Sequence, residues 1–210
     1  MQIAIVGAGN MARGIATRLL AGGHTVAITA KDATKAEALA AGLTGDVRAG
    51  DDTVVDGAEV VVLAVPFEAA KELAAAYGPR LNGKILIDIS NPVKPALDGL
   101  VVPPGTSAAA AIAQAAAEGT RVVKAFNTTF ASTLIAGDVD GTPLDVFIAG
   151  DDEDARKQVA ELVASGGLNP VDAGPLEWAR ALEGFQLLHM ALQLRDSGLA
   201  WGSTIKIVAP

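Results

Sequence analysis

Short aliphatic runs alternate along this chain with stretches whose apolar residues recur every three to four positions. The runs are Gln2–Val6, Thr25–Thr29, residues 59–65, 84–89, 121–125 and 144–149, with shorter ones at 46–49 and 171–173. A continuous β-branched run such as 59–65 predicts a strand buried on both faces, as in a parallel sheet between two helical layers. Asn10–Ala21 carries Met11, Ile15 and Leu19 at helical spacing. Residues 34–41, Phe67–Tyr77, 107–118, 151–164 and 176–195 also read as helices. Gly22-Gly23 ends the first helix, Ser107 is a candidate N-cap, and Gly78-Pro79 follows Tyr77. Residues 52–57 predict a short helix or turn and 94–106 a Pro/Gly-rich loop. A polar connection leads into 144–149, and 203–208 is a candidate closing strand.

Strands alternating with helices predict an α/β fold, a Rossmann-type doubly wound and mainly parallel sheet. Residues 1–150 are expected to form the dinucleotide-binding domain. Residues 151–210 are too few for an independent domain and predict a small helical and strand extension packed on it, at the acceptor side or a dimer interface.

Gly7-x-Gly9-x-x-Ala12 sits between the first strand and the first helix, inside a βαβ unit, which is the setting that gives this short pattern its meaning. Gly7 permits a tight turn, Gly9 lets a pyrophosphate approach the backbone, and small Ala12 and Gly14 allow the helix to pack closely on the sheet. Gly7, Ala8 and Gly9 are therefore candidate cofactor contacts. An acid at the end of the second strand would select NAD; here stand Thr29, Ala30 and Lys31, with Lys35 one turn on, a set that can receive a 2′-phosphate. Asp32 leaves the NAD role open if the turn shifts by one residue. Ala64-Val65-Pro66 and Ser90-Asn91-Pro92 end two further strands and are expected to meet the nicotinamide half.

Composition narrows the chemistry. There is no cysteine, so disulfides and thiolate catalysis are excluded. The net charge of −8, without Lys/Arg clusters, argues against nucleic acid and anionic membranes as partners. No apolar run approaches the ~20 residues of a spanning helix, and the opening residues lack a basic leader, so a cytoplasmic protein is expected. His24 and His189 are far apart in sequence and no metal site is expected. The acids of Asp151-Asp152-Glu153-Asp154 suit a helix N-terminus. Arg180 and Glu183, spaced i and i+3, predict a surface ion pair. Trp178 and Trp201 could wall an acceptor pocket or anchor a homodimer.

Gly7-Ala8-Gly9-Asn10-Met11, Ala64-Val65-Pro66, Asp88-Ile89-Ser90-Asn91-Pro92, Val123-Lys124-Ala125-Phe126-Asn127-Thr128, Gly150-Asp151-Asp152 and Asp172-Ala173-Gly174-Pro175-Leu176 follow in order. Together they resemble the NADPH-dependent reductases of coenzyme F-420, a deazaflavin, over nearly the whole chain. The pattern is also similar to the cytosolic domain of the six-transmembrane metalloreductases. The resemblance implies hydride transfer between NADPH and F-420, or FMN or FAD as second substrate. It places Gly9, Asn10 and Met11 on the cofactor phosphates and ribose, and Asn127, with Phe126 and Thr128, beside the acceptor; His189 and Trp201 are further acceptor-side candidates. Ala30-Lys31 stands where archaeal members carry a Ser-Arg pair, so the cation is kept and the hydroxyl is not. No universal acid or base is implied, since transfer between two rings needs mainly alignment. Two other functions fit a dinucleotide fold: an NADP(H)-binding redox sensor, and a reductase of a small imine or carbonyl, which meets the objection that few residues remain for its dimerisation domain.

Overall fold

The computed structural model describes residues 1–195 and 198–208. The chain runs β1 (Gln2–Val6), α1 (Asn10–Ala21), β2 (Thr25–Thr29), α2 (Ala33–Ala41), β3 (Val47–Ala49), β4 (Val60–Leu63), α3 (Phe67–Tyr77), β5 (Ile85–Asp88), α4 (Ala108–Ala115) and β6 (Arg121–Lys124). It continues through α5 (Ala131–Ala136), a small hairpin of β7 (Asp138–Val139) and β8 (Thr142–Pro143), β9 (Asp145–Gly150), α6 (Glu153–Ser165), β10 (Asn169–Gly174) and α7 (Ala179–Gln193).

The main sheet has the order β10-β9-β6-β5-β4-β1-β2-β3 among the described residues. Its six-strand part, β3-β2-β1-β4-β5-β6, is parallel throughout and follows the Rossmann order 3-2-1-4-5-6. β9 joins β6 antiparallel and β10 lies parallel to β9, so the last two strands extend the same sheet in the opposite direction. The order reverses between β1 and β4, which opens a crevice at the carboxyl ends of these strands.

The period of two along each strand sorts the aliphatic residues into two cores. Ile3, Ile5, Val26, Ile28, Val60, Val62, Ile85 and Ile87 pack under α1, α2 and α6. Ala4, Val6, Ala27, Val61, Leu63 and Leu86 pack under α3 and α4. Both faces are dry, which explains why these strands read as unbroken apolar runs.

Four local expectations change. The connection before β9 contains α5, whose six residues have little helical tendency of their own; Leu134 forms it by burying against α1. Gly14 is needed there, since a Cβ would stand 2.8 Å from Leu134 Cβ; the close approach is to α5 and not to the sheet. Leu176–Trp178 is a separate 3₁₀ turn, and α7 begins only at Ala179. Residues 203–208 pair with no strand. They are held by side chains instead: both oxygens of buried Asp145 are engaged there, Oδ1 accepting from Lys206 Nζ (2.5 Å) and Oδ2 from Ile207 N (2.7 Å). The backbone donor a ladder would need is thus taken up by a carboxylate.

Candidate functional site

Gly7 and Gly9 turn out to be glycine for different reasons. Gly7 has φ +123°, and a Cβ there would collide with the carbonyl of Ala64, so the turn itself demands glycine. Its N–H donates to the Thr29 carbonyl at 2.7 Å, tying the ends of β1 and β2. Gly9 is the N-cap of α1 with an ordinary extended backbone (φ −88°, ψ −173°), and beyond its chain neighbours no atom of the described residues lies within 4 Å of where a Cβ would be. Nothing in the fold asks for glycine at this position. The open space lies directly over the first turn of a twelve-residue helix that no side chain caps and that has no acid in its first turn. The N–H groups there have no intrahelical partners, and the helix dipole adds positive potential, so the arrangement can hold phosphates.

Two cavities flank this turn. One, of about 880 Å³, lies between Gly7, the end of β2 (Thr29, Ala30, Lys31), the end of β3 (Gly50, Asp51, Asp52) and the face of α3 bearing Ala69, Leu73, Ala76 and Tyr77. The second, of about 840 Å³, is lined by Gly7, Ala8, Gly9, Ala30, Lys31, Asp32, Ala33, Lys35, Ala64, Val65 and Pro66. Exposed Lys31 lines both, and Lys31 and Lys35 are the cations lining either one among the described residues. Lys35 lies 3.9 Å from Asp32 with both side chains largely in solvent, a pair of little energetic weight. Asp32 acts locally, since its Oδ1 accepts from Thr34 N (3.1 Å) and caps α2. Among the expected cofactor contacts, Asn10, Met11, Ser90, Asn91 and Pro92 lie outside these two cavities. Leu73, Tyr77, Gly50 and Asp51 were missed. Their signal was the third strand's end and the apolar face of α3.

The ends of β5 and β6 meet next to the crevice. Asn91 Nδ2 donates to the Asn127 carbonyl (2.9 Å), and Asn127 Nδ2 donates to Asn91 Oδ1 (3.0 Å). Phe126 adopts a left-handed backbone (φ +62°), an unfavourable state for a bulky residue, fixed by Thr129, whose hydroxyl donates to the Phe126 carbonyl at 2.7 Å. This bend sends the Phe126 side chain into the core, so Phe126 does not face an acceptor as expected; it anchors the turn that presents Asn127. Around the pair, the buried atoms Ser90 Oγ, Asn127 Oδ1 and Thr128 Oγ1 have no hydrogen-bond partner among the described residues. Orphaned polar atoms in a dry site are costly, and three together fit a polar ligand such as a carboxamide.

Beneath them lies a group that the sequence did not announce. Lys124 is fully buried, with Nζ 2.7 Å from Asp88 Oδ2 and 2.9 Å from Glu183 Oε1. The expected Arg180–Glu183 surface pair is therefore replaced: Glu183 is 0% exposed and faces inward from α7. Burial pushes the Glu183 carboxyl up from its ordinary range, against the pull of Lys124. His189 and Trp201 form a separate group. The buried His189 ring is 4.4 Å from Phe130, its Nε2 is 2.8 Å from Ser203 Oγ and its Nδ1 is 3.1 Å from Gln186 Oε1. Trp201 packs edge-on against Phe130, and its backbone bonds Gln193 and Ser132. Both residues tie the tail to α7. His24 is part-exposed, its Nε2 2.9 Å from Ser165 Oγ.

The family described as NADP oxidoreductase, coenzyme F420-dependent, matches residues 2–92. The F420-dependent NADP reductase of Methanothermobacter marburgensis is 34% identical, over 93% of this chain and 94% of its own. The chain belongs to the F420-dependent NADP reductase family. A solved structure described as an F420-dependent NADP-reductase from Arthrobacter sp. FB24 is similar to this family member over 99% of both chains, with a TM-score of 0.82 and 29% identity. Metalloreductase STEAP3 of Rattus norvegicus is 33% identical over 89% of this chain, which spans 36% of that protein. No helix among the described residues is long and apolar enough to cross a membrane.

Proposed function

We propose that this protein transfers a hydride between NADP(H) and a flavin-like acceptor, coenzyme F420 first among the candidates and FMN or FAD after it. The observation that carries the reading is Gly9: a glycine the fold does not need, over the uncapped N-terminus of α1, at the point where the strand order reverses. In this reading Gly7, Ala8, Gly9, Asn10 and Met11 hold the pyrophosphate on α1. Thr29, Ala30, Lys31 and Lys35 receive the 2′-phosphate, and Asp32 does not compete because it caps α2. Ala64, Val65 and Pro66 border the ribose. Ser90, Asn91, Pro92, Asn127 and Thr128 supply the polar groups beside the ring. The bound nicotinamide carries the hydride; the protein aligns two rings and keeps water out, so no side chain need act as acid or base.

The test is loss of NADPH absorbance in parallel reactions with F420, FMN and FAD, with NADH as control. The reading predicts turnover with F420 and a preference for NADPH. NADPH binding without turnover across the set would favour a sensor or a different small substrate.

The same reading includes a homodimer. α7 buries its polar stripe and leaves Phe185 (41% exposed) and Leu188 (56%) open to solvent; Trp178, just before the helix, is exposed as well. A second copy would cover that face, as symmetric dimers commonly do. Light scattering at micromolar concentration tests it, and a monomer would remove it.

A further inference from the structure

Lys124 does more than neutralise two acids. Its Nζ also donates to the carbonyl of Ser90 at 2.5 Å, while the Ser90 N–H donates to Asp88 Oδ1 at 2.8 Å. Both backbone groups of Ser90, the first residue of Ser90-Asn91-Pro92, are thus held by the same buried cluster. Glu183 adds a third attachment: Oε2 accepts from Ala108 N (3.0 Å) and Oε1 from Ala109 N (3.3 Å), in the first turn of α4. One cation and two carboxylates leave a net negative charge, which the N-terminus of α4 offsets. A trio of packed apolar side chains would stabilise such a core as well as ions do, so the ions call for a geometric reason. The geometry supplies one. Lys124 stands two residues before the left-handed bend at Phe126 and three before Asn127. It therefore fixes both strand ends that carry the unpaired buried polar atoms Ser90 Oγ and Asn127 Oδ1.

We propose that Lys124 is a positioning residue for the nicotinamide end of the site. Acting with Asp88 and Glu183, it sets Ser90 and the Asn91–Asn127 pair and ties α7 to them. The proposal rests on the dinucleotide reading above. It predicts a division of labour: the adenosine end is built without Lys124, and the nicotinamide end depends on it.

The experiment compares the wild-type protein with Lys124→Met and Glu183→Gln, by calorimetric titration with 2′,5′-ADP, which carries only the adenosine half, and with NADPH. Thermal unfolding is recorded for each. We expect 2′,5′-ADP affinity to stay within about twofold, while the advantage of NADPH over 2′,5′-ADP falls about tenfold in Lys124→Met, as loss of one good hydrogen-bonding arrangement gives. Glu183→Gln keeps an acceptor for α4 and should lose less, in the same direction; it carries the test if Lys124→Met does not fold. An unchanged NADPH advantage in a folded variant would overturn the proposal. So would equal losses for both ligands, the mark of a merely structural role. A wild-type protein that bound neither ligand would overturn the dinucleotide reading, and this proposal with it.

Discussion

Replacing Gly9 by serine separates what the fold needs from what a ligand needs. The backbone at Gly9 is extended (φ −88°), nothing beyond its chain neighbours stands within 4 Å of a new Cβ, and the position is the N-cap of α1. Serine is among the preferred N-caps, so Gly9→Ser should leave stability unchanged or raise it by a few tenths of a kcal/mol. Binding should suffer, because the side chain fills the space over the helix N-terminus and its hydroxyl takes one of the N–H groups a phosphate would use. Losing about two hydrogen bonds to charged oxygens, each about 1.5 kcal/mol, predicts about 3 kcal/mol, or roughly 100-fold weaker NADPH. Gly7→Ala is the converse control. Its φ of +123° and the collision with Ala64 place the damage in the fold, by about 3 kcal/mol of stability. Urea unfolding and calorimetric NADPH titration of both variants give the two numbers. A Gly9→Ser protein that binds NADPH like wild type would refute the placement of the pyrophosphate.

Lys31→Ala should weaken NADPH by about 1–3 kcal/mol while leaving NADH nearly unchanged, and equal losses in paired titrations would remove Lys31 from the 2′-phosphate role. His189 offers a pH signature, since burial holds its imidazole below the ordinary value of 6.5. Above that value it is neutral folded and unfolded; as pH falls below it the unfolded chain takes up the proton first, so stability is lost, by up to about 1.4 kcal/mol per pH unit. Melting curves should show a shallower decline for His189→Gln as the pH falls below about 6.5, where His24, also held low by burial, keeps its own share. Equal slopes would mean that His189 is protonated in place. Ser203→Ala removes the shared partner of His189 and Gln193 and should cost about 1 kcal/mol, read by urea unfolding.

The sheet was legible because its strands are dry on both faces and its glycines punctuate them. The division between Gly7 and Gly9 was not, since one pattern hides a backbone constraint and an open space. α7 was misread for a physical reason. The i, i+3 spacing of Arg180 and Glu183 suggested a solvent-facing ion pair, yet the helix buries Glu183, Gln186 and His189. Helical spacing tells which residues share a face but not which face meets the core, and a buried ion cluster reverses the usual assignment. The pairing of Asp88 with Lys124 follows from the β5–β6 register, which places their Cα atoms side by side. No local pattern in either strand announces it. Phe126 likewise matched a family motif, but only its left-handed backbone reveals that it turns inward and presents Asn127.

Direct hydride transfer between two rings held in one site is best probed by an anaerobic single turnover with NADPH deuterated at the transferable position. Mass analysis of the reduced F420 then follows the label. Direct transfer predicts that the deuterium appears on the deazaflavin ring. Reduction with the label lost to solvent, or no reduction by an enzyme that binds NADPH, would contradict it.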